Sequence, residues 1–328
     1  MKERILYIDW LKGIAITLVV MGHVIGFDIY SGSDCMNSFL YRLIISFHMP
    51  LFVFLSGLVV NYEYKNLTST IKLVVKKIKT LLFPFLIVGI LYVLWRGISI
   101  NRFFEDSNKF GYWYLLTLFE LYIVYYLVYS FKLLNSQLGY IVKGLIVWII
   151  LRLLTNSNLF DSNILNIFQL PQLQRFWPFF FIASFINKYH LHEKLFSNNK
   201  IYSLSLVSFL LSFTIFEYYS ITVISYPLQL SAIFIVVYII YSIRSSDNIL
   251  LRCINLFGKY SLDIYIFHYF ILHISYFKIL GNYLSETPNL VLELLITGIF
   301  SFIIIYISIF IGQLIRKSNI LSYIIYSK

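Results

Sequence analysis

The feature that most constrains this chain is the recurrence, from end to end, of apolar runs of roughly 17 to 25 residues. Each is long enough to cross about 30 Å of hydrocarbon as a helix. Ten such spans can be drawn, at 6–27, 39–61, 80–99, 112–131, 139–155, 172–187, 201–217, 222–243, 260–280 and 291–315. Arg152, Arg175 and Pro178 interrupt the fifth and sixth, and only polar residues around Glu217 to Ser220 separate the seventh and eighth. Charged residues make up 12% of the chain and hydrophobic ones 59%, against about 25% charged in soluble domains. The expectation is an all-α polytopic integral membrane protein with about ten transmembrane helices. Residues 1–328 read as a single transmembrane domain with no soluble extension.

Lys and Arg set the orientation, because short translocated loops are depleted in them. One set of loops carries Lys2, Arg4, Lys65, Lys72, Lys76, Lys77, Lys79, Lys132, Lys188, Lys194, Lys200, Arg244, Arg252, Lys259, Arg316, Lys317 and Lys328, and the other little beyond Arg102 and Lys109. Both termini are therefore expected in the cytoplasm, in a multi-pass protein of a bacterial plasma membrane. The same asymmetry accounts for much of the net charge of +11, so no nucleic-acid partner is needed to explain it. The first span lacks a small-residue cleavage site after its apolar run and reads as retained. Cys35 and Cys253 fall on opposite faces and cannot pair, and no Cys/His cluster has zinc spacing.

Residues 62–79 place Leu67, Ile71, Val74, Val75 and Ile78 at helical spacing with lysines between them. The pattern predicts an amphipathic helix along the membrane surface that turns inward at Leu81. Residues 186–200, with His190 and His192, read as a basic loop.

Polar groups inside the apolar spans carry the functional signal. Eleven helical steps from Lys12 to His23 amount to about 1100°, within roughly 20° of three turns, over roughly 16 Å. Asp9, Lys12 and His23 thus share one face, with Asp9 a turn below Lys12 and placed to pair with it. The second span holds His48, Pro50 and the close-packing pair Ser56-Gly57. The fourth holds Glu120, a carboxyl that must stay protonated or meet a cation at that depth, with His23, His48, Arg96, Arg152 and Arg175 as candidate partners. The ninth holds Asp263, His268 and His273. His268 shares a face with Ser261, while Asp263 is turned about 140° away and is not expected to orient it. Histidine is the natural general base near neutral pH. No G-x-S-x-G elbow and no phosphate-binding glycine loop is present.

In order, these motifs resemble the acyltransferase-3 integral membrane acyltransferases. A basic residue, ten residues and a histidine occur as Lys12 and His23, and the end of the second helix reads FHMPLFVFLSG. Lys76, Lys79 and Pro84 occupy the basic element and proline that open the third helix, with lysines where the family usually has arginines. Trp113-Tyr114-Leu115 resembles the WFL-like start of a later helix, and Ser261, Ile264, Tyr265 and His268 match the closing S-x-x-I-Y-x-x-H pattern. The resemblance runs from residue 7 to about residue 315 and is nearest the branch related to fucose 4-O-acetylases.

The resemblance implies transfer of an acyl group, usually acetyl from acetyl-CoA, to a carbohydrate hydroxyl. Acyl-CoA is then a donor substrate, with no permanently bound cofactor and no metal, and the partners are a carbohydrate acceptor and membrane lipids. It assigns His23, His48, Glu120 and His268 to catalysis, with His23 as general base. Asp9, Lys12, Lys76, Lys79, Trp113, Ser261 and Tyr265 are assigned to substrate binding. A transporter or flippase for a glycan or small organic acid is the alternative, since intramembrane His, Glu and Arg also mark substrate paths. No internal repeat supports it.

Overall fold

The computed structural model describes residues 6–30, 32–60, 67–130, 136–157, 160–219, 225–246, 248–272, 278–286 and 289–326. Among these the chain is helical and contains no strand. In order the helices are α1 Leu6–His23, α2 Phe39–Leu58, α3 Leu67–Lys77, α4 Phe83–Trp95, α5 Ile100–Glu105, α6 Trp113–Ser130 and α7 Gln137–Asn156. They continue with α8 Ser162–Ile167, α9 Leu170–Lys188, α10 His192–Phe196, α11 Asn199–Tyr219, α12 Ser225–Ser242 and α13 Ile249–Lys259. The last are α14 Ser261–Leu272, α15 Lys278–Glu286, α16 Leu290–Lys317 and α17 Asn319–Tyr326.

A helix forms at each of the ten places where the apolar pattern predicts one. Among the described residues seven helical stretches are long and apolar enough to cross a membrane, and Trp113–Tyr129 and Ser261–Leu272 are shorter apolar helices. The sixth place is α9, 19 residues that hold Arg175 and continue through Pro178. The protein is thus an all-α, multi-pass membrane protein.

Two compact units form, one from Met1–Leu55 and His190–Gln313, the other from Ser56–Tyr189 and Leu314–Lys328. In the first, α1 is seated by glycine. A Cβ on Gly13 would stand 2.0 Å from the carbonyl oxygen of Ile254, and one on Gly258 would stand 1.8 Å from that of Asp9. Backbone meets backbone there, which is the reason small residues line helix contacts in lipid. The partner helix, α13, lies in what the sequence reads as a basic loop carrying Arg252, Cys253 and Lys259. Its apolar face, with Leu251 and Phe257 buried, makes it a helix rather than a connector. The segment around His190 differs likewise, since His192 opens the short helix α10 and its Nδ1 meets the hydroxyl of Tyr7 at 3.1 Å.

In the second unit, Gly57 at the end of α2 lets the backbone of α9 approach, since a Cβ there would meet the carbonyl oxygen of Phe180 at 2.4 Å. The close-packing role expected of Ser56-Gly57 is therefore realised. The inward turn expected at Leu81, at the end of the amphipathic helix read over residues 62–79, does not form. The described part of that helix, α3, runs without a break through a π-helical turn, Ile78–Leu82, into α4. Thr68–Trp95 is one continuous 28-residue helix, about 42 Å long.

Candidate functional site

α1 stays a regular helix as far as His23, and the next six residues, Val24–Ile29, form a π-helical turn. Such single wide turns inside helices cluster at functional positions. His23 is half-buried, and three rings close around it. Its Nε2 is 3.0 Å from the hydroxyl of Tyr269, the His268 ring stacks on it with centroids 5.3 Å apart, and Phe27 stands at 5.6 Å. Tyr269 in turn packs 4.4 Å from His268.

The tautomer of His268 follows from its bond. Its Nδ1 lies 2.9 Å from the carbonyl oxygen of Ile264, which can only accept, so Nδ1 carries the proton. In the neutral ring Nε2 then presents a lone pair, and this atom is buried with no hydrogen-bond partner among the described residues. Two imidazolium rings at this spacing would repel by about 3 kcal/mol at an effective dielectric near 20, so the pair accommodates at most one added proton. His48 repeats the geometry, with Nδ1 donating to the carbonyl of Ile44 at 2.8 Å, and lies within Coulomb reach of His23.

Of the other candidates of the first unit, only Tyr265 is shown beside this cluster. Asp9 is buried and Lys12 half-buried on α1. Tyr265 is buried with its ring 6.0 Å from that of His268, and Ser261 opens α14. Asp263, fully buried, faces α16, where a Cβ on Gly312 would meet its Cγ at 2.6 Å. It therefore points away from the His268 face, as the helical spacing indicates. His273 lies outside the described residues.

In the second unit Trp113 stacks on Phe176 at 5.3 Å, beside Tyr114, whose hydroxyl is 3.5 Å from that of Ser56. Tyr122 donates to the carbonyl of Ser56 at 3.1 Å. Of the three neighbouring lysines, Lys76 and Lys79 are exposed, with Lys79 in the π-helical turn. Lys77 turns inward and places its ammonium 3.3 Å from the centroid of the Tyr122 ring, a cation–π contact.

Glu120 is half-buried and its Oε2 lacks a hydrogen-bond partner among the described residues. The cation that interacts with it is Lys109, absent from the five partners the sequence suggests. Lys109 is fully buried, and its Nζ donates to the carbonyls of Phe104, Asp106 and Asn166 at 2.6, 2.7 and 2.8 Å. Burial pushes its ammonium down to about 8, against the pull of Asp106 and Glu120. Among the described residues no three His, Cys, Asp or Glu side chains converge as metal ligands would.

Tyr269 is the residue that sequence reasoning missed. It sits beside His268 in sequence, about 100° round the helix, and nothing in the helical wheel distinguishes it from the other tyrosines of the span. The π turn after His23 is equally invisible to a 3.6-residue period.

The described residues form a bundle of apolar helices in which the His23 and His268 rings stack on each other, the class being a multi-pass membrane protein. The family described as "Acyltransferase domain" matches over residues 5–312, and the chain belongs to this acyltransferase-3 family. It is 22% identical over 294 residues to a "Probable poly-beta-1,6-N-acetyl-D-glucosamine export protein" of Staphylococcus aureus (strain Mu50), a match covering 83% of each chain. The protein of that name in strain MRSA252 is 21% identical over the same length, again covering 83% of each chain. A "Nodulation protein NolL" of Mesorhizobium japonicum is 47% identical over 57 residues, which is 17% of this chain and 15% of that one. No solved structure matches the chain significantly.

Proposed function

We propose that the protein is a membrane O-acyltransferase that moves an acyl group, acetyl foremost, from acyl-CoA to a hydroxyl of a cell-surface carbohydrate or its lipid-linked precursor. The observation that carries this reading is the His23 ring, anchored by Tyr269 through Nε2 and stacked on His268. A neighbour that engages one ring nitrogen sets the tautomer and aims the other at substrate, which suits a general base. The acceptor oxygen attacks the thioester carbonyl carbon as His23 takes its proton. The C–S bond then breaks, and the proton passes from His23 to the departing CoA sulfur, which restores the neutral ring.

The remaining roles follow the chemistry of each side chain. Lys12, with Asp9 a turn below, serves the donor, and the exposed Lys76 and Lys79 serve its phosphates as point charges. His48 and His268 keep the neighbourhood of His23 neutral and hydrogen-bonded. Glu120 tunes the second unit with Lys109, and Trp113, Ser261 and Tyr265 contact substrate. Acyl-CoA, the carbohydrate acceptor and membrane lipids are the partners, with no nucleic acid and no permanently bound cofactor.

The printed name of the S. aureus relatives favours a second reading, export of a glycan. The two readings separate in one experiment. Protein in nanodiscs is incubated with labelled acetyl-CoA and a panel of free and undecaprenyl-linked oligosaccharides, while proteoliposomes are assayed for glycan flux. Label on a sugar hydroxyl supports the acyltransferase. Flux without CoA turnover supports the exporter.

A further inference from the structure

A cavity of about 290 Å³ opens in the first unit, at the ends of α1 and α15 and the starts of α2 and α16. Its polar and aromatic lining comes from Tyr30, Asn37, Ser38, Phe39, Asn289 and Glu293. The lysine distribution reads this end of the helices as the exterior face, opposite the N-terminus. Glu293 is only 6% exposed, and its Oε1 accepts from the Ser38 hydroxyl at 2.5 Å. A carboxylate in the first turn of α16 suits the helix dipole, and Asn289 caps the same turn by accepting from the Leu292 N–H at 3.0 Å. Neither role requires a carboxylate to be buried against a cavity, at a cost, within three residues of a helix start.

The lining specifies a ligand. One carboxylate is a strong acceptor, two side-chain amides both donate and accept, and two aromatic rings offer flat apolar walls. Among the described residues no Lys or Arg lines the cavity, and the one acidic side chain that does is Glu293. A molecule with several O–H or N–H donors and an apolar ring face fits, and an anion does not. The volume is at the lower edge of the ~300–1,000 Å³ of ligand pockets, which suits one sugar ring rather than a chain. The wall is preorganised as well, because a Cβ on Gly281 of α15 would stand 1.8 Å from the carbonyl oxygen of Ile29, at the end of the π turn that follows His23.

Tyr30 lies seven residues beyond His23, past the whole π-helical turn that separates them. A sugar held in the cavity is therefore not the one that reacts at His23 but a neighbour of it in an extended acceptor. We infer that this cavity is a carbohydrate subsite that takes one neutral or amino-bearing sugar unit of the acceptor glycan and rejects acidic sugars, with Glu293 as its polar anchor and Phe39 and Tyr30 as its walls. The inference rests on the acyltransferase reading for the word acceptor, while the sugar site itself stands on the cavity.

The test measures binding without turnover. Wild-type protein in nanodiscs is titrated with β-1,6-linked N-acetylglucosamine, de-N-acetylated glucosamine, glucose and glucuronate tetrasaccharides. Glu293→Gln, Phe39→Ala, Asn37→Ala and the control Glu286→Gln follow, each checked for an unchanged melting temperature. Glu286 is exposed near the cavity but does not line it. Wild type is expected to bind at least one non-acidic tetrasaccharide at least tenfold more tightly than the glucuronate one. Glu293→Gln is expected to weaken that binding about tenfold, the loss of a charge-assisted hydrogen bond, and Phe39→Ala several-fold, with Glu286→Gln unchanged.

If Glu293→Gln does not fold, the exposed Phe39 and Asn37 variants carry the test. No binding of any non-acidic tetrasaccharide, or binding that neither Glu293→Gln nor Phe39→Ala weakens, overturns the subsite. Cavity-dependent binding with no CoA turnover on any acceptor upholds the subsite and overturns the acyltransferase reading instead. Acyl transfer with cavity-independent binding does the reverse.

Discussion

Replacing Tyr269 with Phe removes one oxygen from the His23 cluster and little else. Tyr269 is 4% exposed, and a Phe ring keeps the packing of 4.8 Å to His23 and 4.4 Å to His268. The lost contact is the 3.0 Å hydrogen bond to His23 Nε2. When His23 is protonated during transfer, Nε2–H donates and the tyrosine oxygen accepts. A hydrogen bond to a neutral ring contributes about 1 kcal/mol and one to a charged ring about 1.5–3 kcal/mol. Only the difference, about 0.5–2 kcal/mol, is specific to the charged step, which corresponds to about a two- to thirtyfold loss in kcat. Single-turnover transfer of labelled acetyl from acetyl-CoA in nanodiscs measures it, with the KM for acetyl-CoA followed in parallel. A kcat within twofold of wild type, or a loss confined to KM, would refute the idea that Tyr269 steadies His23 as it takes up the proton.

Other perturbations separate structure from chemistry. Gly258→Ala forces its new methyl to within 1.8 Å of the Asp9 carbonyl, so α1 must move. It should cost about 1–3 kcal/mol, read as a lower melting temperature with impaired transfer, whereas Gly298→Ala, which meets nothing within 4 Å, should leave both intact. Lys76→Gln with Lys79→Gln should raise the KM for acyl-CoA about five- to thirtyfold, at about 0.5–1 kcal/mol for each exposed charge. Lys77→Gln, which removes the cation from the Tyr122 ring, should instead lower thermal stability. Lys109 titrates near 8 when folded and at its ordinary 10.5 when unfolded. The folded state therefore binds fewer protons between those values, and stability should rise with pH from about 8 to 10.5. Lys109→Met should abolish that slope in pH-dependent thermal melts.

Much of the fold was legible because hydropathy reports burial in lipid directly, and each apolar run did become a helix. What escaped was set by packing. α13 has a basic outer face and an apolar inner one, and in a loop rich in Arg and Lys only the contact with Gly13 of α1 reveals it. Helical spacing turned Asp263 away from His268, and in the structure its carboxyl packs against Gly312 of α16. It could not say which ring His23 would meet, because a wheel fixes a face and not the neighbour across it. The partner of Glu120 was missed for the same reason. Lys109 looks like any loop cation until its backbone, with φ of 48°, turns the side chain into a nest of carbonyls.

The most direct test of the central claim compares wild type with His23→Ala in nanodiscs, following label from acetyl-CoA onto a carbohydrate hydroxyl, with expression and melting temperature as controls. Transfer by wild type that disappears in a folded, normally expressed His23→Ala protein is the predicted result. Transfer that persists near the wild-type rate in that variant would contradict it.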